Sequence, residues 1–339
     1  MNPVDRYARQ VVLPEIGVSG QEKLARASVL VVGCGALGSA QLQCLARAGV
    51  GHIRLIDRDL VEEHNLQRQI LYDEEDLVDP QPKAELAAGK LRRINSTIRI
   101  EGIVADLSGR NVEKFLAGVD LVLDGTDNFE TRYLLNDACV KHRIPWIYGG
   151  VLGTTGMSLT VRPHLGPCLR CLFPEAPPLG SLPTCETAGV LNTAPIWVAA
   201  HQVTEALRLL IGSAPPSPKL RLFDLWQGSL REVAVERAAD CTCCGQHRYE
   251  ALEARAVSQT TVLCGRDTVQ ISPPQEMTIA LDELARRCSA VGKVSFHGLF
   301  LQVEIGLHIL WVFPDGRVLV KGTTDEAVAR TLVAKYLGM

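Results

Sequence analysis

The residues with the most chemical potential in this chain begin at Gly33-Cys34-Gly35-Ala36-Leu37-Gly38. Glycines let a backbone approach phosphate closely, and a helix N-terminus offers N–H donors to it. The segment comes after the apolar run Ser28–Val32 and opens a helical stretch from Ser39 to Ala48. A second apolar run, His52–Ile56, ends at Asp57. An acid about 20 residues beyond the glycines completes a dinucleotide fingerprint, and Asp57 suits ribose hydroxyls. The polar residues between 65 and 128 suit a triphosphate better than a nicotinamide. Arg68 and Lys83 are cations able to neutralise β and γ phosphates, with Asn65 and Gln69 as neutral partners. Asp127 comes after a strand at its C-terminal end, where open α/β sheets bind ligands, and offers a carboxylate to magnesium. Asn128 reads equally as a ligand neighbour or as a helix N-cap before Thr131.

Thiols form a second group. The chain has 11 cysteines. Without an export signal, disulfides lose weight and metal or catalytic roles gain it. Cys168/Cys171 and the cluster Cys241-Thr242-Cys243-Cys244 read as a closed structural zinc site, with Cys243 leaving the fourth ligand ambiguous. Cys185 lies in a loop-like segment after Pro183, where a thiolate could act as a nucleophile or sit inert. Cys44, Cys139 and Cys288 read as core filler, and His201 as a core histidine.

To position these groups the chain needs alternating strands and helices. Residues 1–26 read as a helical lead-in. Further strands fit Ile98–Val104, Asp120–Asp124 and Pro145–Tyr148, and helices fit Pro82–Ile94 and Thr131–His142. The alternation predicts an α/β fold, a Rossmann-like and mostly parallel sheet covered on both faces. Residues 154–162 and 219–235 read as an antiparallel extension, with a turn at Ala214–Pro218. The pattern changes after Gly245. Strands at Thr261–Ile271, Val294–Ile305 and His308–Phe313, a hairpin at Pro314-Asp315-Gly316, and helices at Ala280–Ala290 and Asp325–Leu337 predict a small α+β domain. The expected division is therefore residues 1–250, carrying the nucleotide and zinc sites, and residues 251–339, an accessory domain without chemical motifs.

Bulk properties narrow the class. The chain has 339 residues, 22% charged and 47% hydrophobic, with a net charge of −3. Neither a nucleic-acid footprint nor a polybasic membrane patch is indicated. The stretch Met1–Gln10 is polar and charged, without an apolar core of signal-peptide length, and Ala194–Ile211 carries His201, Glu205 and Arg208, against a membrane span. The expectation is a cytoplasmic protein.

These residues, together with Arg6-Tyr7-Ala8-Arg9-Gln10, Gly20-Gln21, Asn65 to Gln69, Pro82-Lys83, Asp124 to Asn128 with Arg132, and Thr184 to Val190, give the chain a close resemblance to the ThiF/MoeB/HesA family of bacterial adenylyltransferases, relatives of the ubiquitin-activating enzymes. The resemblance covers residues 5 to 247. A softer likeness to ThiF-type C-terminal extensions covers Leu263–Asp267 and Phe313–Arg317. It implies an enzyme that uses ATP and Mg2+ to adenylate the C-terminal Gly-Gly of a small ubiquitin-like sulfur carrier. On this pattern Asp57 binds ribose, Asn65, Arg68 and Lys83 contact phosphates, Asp127 holds magnesium, and Asn128 lies beside the nucleotide. Arg9 reaches the γ-phosphate in the neighbouring subunit, which makes a homodimer necessary. The family spacing favours Cys241 and Cys244 as zinc ligands beside Cys168 and Cys171, with Gly245 allowing the turn. Cys185 becomes the sulfur-accepting or thioester-forming cysteine, and a cysteine desulfurase or rhodanese the sulfur donor. Ala36 departs from the glycine of many members, but keeps its backbone N–H, so binding should survive unless that position needs a positive φ. A ThiS-like carrier for thiamine thiazole synthesis is the leading expectation and a MoaD-like carrier for molybdopterin the alternative. Beyond the family stand an NAD-dependent oxidoreductase, for which no hydride-transfer acid or base is evident, and a non-catalytic scaffold.

Overall fold

A computed structural model describes residues 3–177, 183–213, 218–253, 260–263, 267–273, 275 and 277–338. The chain divides into two compact units, Met1–Arg255 and Ala256–Met339. The first opens with helices α1 (Pro3–Arg6), α2 (Ala8–Val11) and α3 (Gly17–Arg26). It continues β1 (Ser28–Val32), α4 (Ala36–Ala48), β2 (His52–Asp57), α5 (Lys83–Ile94), β3 (Arg99–Val104), α6 (Val112–Leu116), β4 (Leu121–Asp124), α7 (Phe129–His142), β5 (Trp146–Leu152) and β6 (Thr155–Val161). Short helices α8 (Leu169–Leu172) and α9 (Cys185–Ala188) precede the long α10 (Thr193–Ile211), the hairpin β7 (Lys219–Asp224) and β8 (Ser229–Ala234), and α11 (Glu250–Glu253). The Ala214–Pro218 turn expected from sequence lies outside the described residues except for Pro218.

Eight strands form one sheet in the order β3-β2-β1-β4-β5-β6-β7-β8. β3, β2, β1, β4 and β5 run parallel, and β6 to β8 add antiparallel pairs. The central strands β1 and β4 are buried on both faces, as a covered parallel sheet requires. Alternate residues serve opposite cores. Val29 and Val31 pack with α4, α5 and α10 through Leu42, Leu45, Ala87, Leu91 and Val203. Leu30 and Val32 pack with α6 and α7 through Leu116, Leu135 and Ala138. Each fully buried leucine contributes roughly 1.5–3 kcal/mol. Cys139 belongs to the second core, but Cys44 is exposed, because on α4 the inward face is occupied by Leu42 and Leu45.

The order reverses between β1 and β4, so the loops leaving these neighbours diverge to opposite faces and open a crevice at the strand ends. The glycine turn leaves β1 and Asp124–Asn128 leaves β4. Gly33 has φ +89°, and a side chain there would lie 2.6 Å from the Gly125 carbonyl oxygen. The two turns therefore abut only because both positions lack a Cβ.

The second unit contains an antiparallel sheet in the order β11-β12-β13-β14-β10-β9, with β9 (Thr260–Leu263), β10 (Thr268–Ile271), β11 (Lys293–Phe296), β12 (Leu301–Ile305), β13 (His308–Val312) and β14 (Val318–Lys321). Its core combines Val303, Leu310 and Val320 with Leu284 and Cys288 of α12 (Leu281–Cys288) and Val333 and Leu337 of α13 (Glu326–Leu337). The single strand expected over Thr261–Ile271 is two paired strands, β9 and β10. Of the Leu263–Asp267 motif, residues 264–266 lie outside the described residues.

Candidate functional site

α4 starts at Ala36 with Gly35 as its N-cap. Ala36 is thus the first helical residue, and it is not among the residues of positive φ, so alanine costs nothing there. Gly38 lies one turn inside the helix, and a Cβ on it would sit 1.8 Å from the Gly33 carbonyl oxygen. The turn closes tightly on itself, and its Gly33 and Cys34 N–H groups are taken by the Ile56 carbonyl and by Asp57.

Asp57 organises this turn. Its Oδ2 accepts the Cys34 N–H at 2.6 Å and its Oδ1 accepts the Asp59 N–H at 2.7 Å. Burial, then the neighbouring Asp59 carboxylate, push its pKa up, while Lys83 opposes them. Both oxygens keep a second lone pair, so Asp57 can take ribose hydroxyls while holding the loop.

Lys83 is 2% exposed, with Nζ 3.7 Å from Asp59 Oδ2. The Tyr72 hydroxyl lies between the Cys34 and Lys83 carbonyl oxygens at 3.0 and 3.2 Å, joining the glycine turn to the start of α5. Asn65 and Gln69 are also buried. Asn65 Oδ1 accepts the Glu62 N–H, whereas Asn65 Nδ2 and Gln69 Oε1 find no partner among the described residues. A Cβ on Gly35 would come 3.8 Å from Gln69 Nε2, so Gln69 faces the glycine turn. Buried unpaired amide groups are rare, and a polar ligand at the turn would satisfy them. Arg68 is only half-buried, and its Nη1 donates to the His64 carbonyl at 2.8 Å.

The β4 turn holds two acids with different surroundings. Asp124 is fully buried. Its Oδ1 accepts from the Thr126 N–H and hydroxyl at 2.9 and 2.7 Å, and its Oδ2 accepts from Arg132 Nε at 3.2 Å and the Gly149 N–H at 3.3 Å. Burial alone would weaken the Arg132 cation, but Asp124 outweighs it and holds the guanidinium charged. Asp127 is exposed and carries none of these bonds. Asn128 caps α7, its Oδ1 accepting the Thr131 N–H at 2.9 Å, so its amide nitrogen and a second lone pair are left to face a ligand.

Sequence reasoning missed Arg58 and Asp59. Arg58 Nη1 donates to Asp106 Oδ1 at 2.9 Å. Burial would lower its basicity, yet Asp106, Asp59 and Asp127 together raise it. The charge alternation Asp57-Arg58-Asp59 at a strand end was the available signal. Arg9, on α2, is exposed, and its side chain has no hydrogen bond or ion pair among the described residues. Its neighbours are anchored: Asn95 Nδ2 donates to the Tyr7 hydroxyl, and Gln10 Nε2 to the Ala48 carbonyl. One chain therefore buries Asp57, Lys83, Asn65 and Gln69, with Asp57 and Gln69 at the glycine turn, and leaves Arg9 exposed outside that group.

The Sγ atoms of Cys168, Cys171, Cys241 and Cys244 lie within 4.8 Å of one another. Three separations are 4.0, 3.6 and 3.4 Å. A tetrahedron with Zn–S bonds of about 2.3 Å has edges of about 3.8 Å, so the cluster fits zinc. Cys243 is excluded from it; its sulfur accepts from Asn136 Nδ2 at 3.3 Å. A Cβ on Gly245 would strike the Ala239 carbonyl oxygen at 2.3 Å, so the second ligand turn demands glycine. Cys185, expected in a loop, begins the one-turn helix α9, which Thr184 caps by accepting the Thr187 N–H. Short segments with a capping box close this way because Thr184 and Thr187 satisfy each other's backbone donors. The Cys185 side chain lies outside what the structure describes. His201 is half-buried on α10 beside Arg221, and burial, then that cation, lower its pKa to about 4.

Among the described residues no helix is long and apolar enough to cross a membrane. The chain is 41% identical over 339 residues to the sulfur carrier protein ThiS adenylyltransferase of Bacillus subtilis, a match spanning 98% of this chain and 99% of that protein. It is 42% identical over 248 residues to the sulfur carrier protein adenylyltransferase of Thermus thermophilus, covering 71% of this chain and 91% of the relative. Among solved structures it is similar to MccB of E. coli, with a TM-score of 0.63 at 23% identity over 72% of this chain and 73% of that one, a likeness of fold. The ThiF family profile matches residues 7–244, and with that match on this nucleotide crevice the chain belongs to the ThiF family.

Proposed function

We propose that this protein is an adenylyltransferase that activates the C-terminal Gly-Gly carboxylate of a small ubiquitin-like sulfur carrier of the ThiS type, preparing it for thiocarboxylate formation in thiamine thiazole synthesis. The observation that carries the choice of carrier is the extent of the Bacillus match, which runs through the second unit as well as the first, whereas the Thermus match covers 71% of the chain. A MoaD-like carrier is the second reading, because the crevice chemistry is the same for both.

The carrier carboxylate is ionised at neutral pH and is itself the nucleophile. Its oxygen attacks the α-phosphorus of ATP, the bond to the bridging oxygen breaks, and pyrophosphate leaves with the electron pair. No general base is needed. The protein's work is positioning and charge neutralisation. Lys83 and Arg68 neutralise phosphates, Asp57 takes the ribose, and the amides of Asn65 and Gln69 complete the shell with Asn128. Asp127 would hold magnesium, which shields the leaving pyrophosphate's charge. Arg9 acts on the neighbouring subunit's nucleotide in a homodimer, in keeping with its exposure. Zinc on the four cysteines is structural, since four thiolates leave no open position. Cys185 acts after adenylation: its thiolate either attacks the acyl-adenylate, forming a thioester as AMP leaves, or takes sulfane sulfur from a donor persulfide, whose thiol leaves. The sulfur comes from a desulfurase- or rhodanese-type donor.

The test is ATP–pyrophosphate exchange with ThiS-like and MoaD-like carriers compared at equal concentration. Exchange dependent on the ThiS-like carrier supports the proposal. Exchange with only the MoaD-like carrier selects the second reading, and no exchange with either defeats both.

A further inference from the structure

At the opposite ends of the same strands lies a cavity of about 600 Å3. Ala27 before β1, Leu121 at the start of β4 and Pro145 before β5 form its floor. Four cations line it, Lys23, Arg26, Arg143 and Arg162, against one carboxylate, Asp120. The Asp120 Oδ2 already accepts the Ser28 N–H at 2.8 Å. Lys23 is accounted for, since its Nζ donates to the Ile211 carbonyl at the end of α10 at 2.6 Å. The side chains of Arg26, Arg143 and Arg162 have no hydrogen bond or ion pair among the described residues.

Two of these arginines stand at helix ends. Arg26 ends α3 and Arg143 is the left-handed C-cap of α7, where a cation complements the helix dipole. Arg162 has no such reason. It lies just past the end of β6, half-buried beside Pro163, and no helix terminates at it. Arginine presents a planar fork that matches phosphate oxygens in pairs, which lysine cannot do. Leu165, Leu209 and Leu210 give the same cavity an apolar wall. The volume lies in the range of small-molecule sites.

We propose that this cavity binds a small organic phosphate, with Arg26, Arg143 and Arg162 on the phosphate and the leucine wall against its apolar body. The site is distinct from the nucleotide crevice, which lies at the C-terminal ends of these strands, and the proposal does not depend on the adenylation chemistry.

Calorimetric titration of the full-length protein with phenyl phosphate and with inorganic phosphate tests it. Phenyl phosphate should bind in the sub-millimolar range and at least about tenfold tighter than inorganic phosphate, because only it uses both walls. Arg26→Ala/Arg162→Ala should lose at least about tenfold in affinity, while Arg68→Ala, in the nucleotide crevice, should leave binding intact. Should the double variant fold poorly, Arg26→Glu at an exposed position reads the same loss. Absence of binding at millimolar ligand overturns the proposal. So does binding that Arg68→Ala removes and the cavity variants do not.

Discussion

The motif Asp124-Gly125-Thr126-Asp127-Asn128 places two acids three positions apart, and the structure gives them opposite kinds of work. Asp124→Asn keeps the side-chain shape but removes the charge opposite Arg132, in a pair where both partners are buried. It also turns an amide toward Arg132 Nε or the Gly149 N–H, setting donor against donor. Breaking a buried ion pair by neutralising one partner costs about 3–5 kcal/mol. For a unit of this size that corresponds to a fall in Tm on the order of 10 °C. Asp127→Asn changes an exposed residue without a hydrogen bond in the network, so stability should move by no more than about 0.5 kcal/mol. Loss of one transition-state charge contact instead costs about 3 kcal/mol, roughly a hundredfold in rate. Thermal melting and carrier-dependent pyrophosphate exchange on the two variants should therefore separate cleanly, Asp124→Asn losing Tm and Asp127→Asn losing exchange. Near-normal exchange by Asp127→Asn at ordinary magnesium would refute its role. An unshifted Tm for Asp124→Asn would refute the assignment of the Arg132 pair as the brace of this turn.

Arg9→Ala mixed with Asp127→Ala should regain exchange through hybrid dimers with one intact site; no recovery in dimers shown to exchange subunits would rule out a shared site. Elemental analysis of protein purified without chelator should give about one zinc per chain, and metal removal should lower Tm without abolishing nucleotide binding by the remaining folded fraction. Cys185→Ser should keep pyrophosphate exchange and lose covalent carrier capture or sulfur transfer, and the opposite pattern would place the thiol in the adenylation step. His201 has a folded pKa lowered to about 4 from 6.5, so its neutral form contributes stability that is present above pH 6.5 and is lost as pH falls toward 4. His201→Gln should flatten that part of the stability profile in urea melts, and an unchanged slope would count against it.

The parts of the site legible in sequence are those set by local spacing. The glycine turn, the acid ending β2 and the cysteine pairs each need residues at fixed short intervals. What sequence hid depends on contacts across the sheet. Nothing local says that the Asp57 carboxylate ties down Cys34 and Asp59, or that Lys83 is buried against Asp59. The choice between Cys243 and its neighbours was likewise settled by Asn136 on α7, more than a hundred residues away. Cys44 shows the same limit in the core, where a helix position adjacent to inward leucines turned out to face solvent. The segment around Cys185 looked irregular because a one-turn helix is too short to show periodicity.

The cysteine cluster joins residues 73 apart in the chain. At about 5–20 residues per second, a ribosome needs several seconds to deliver Cys241 after Cys168. During that interval Cys168 and Cys171 form a half-built site, two thiols at short spacing with no partners. An oxidant arriving then meets a dithiol that can close on itself, and a chain so oxidised has given up half of the four thiols that would join the segment at Cys168 to the segment at Cys241. If zinc fills the cluster as proposed, its arrival would set a timing condition on synthesis, and the vulnerable species would be the nascent chain, not the finished enzyme.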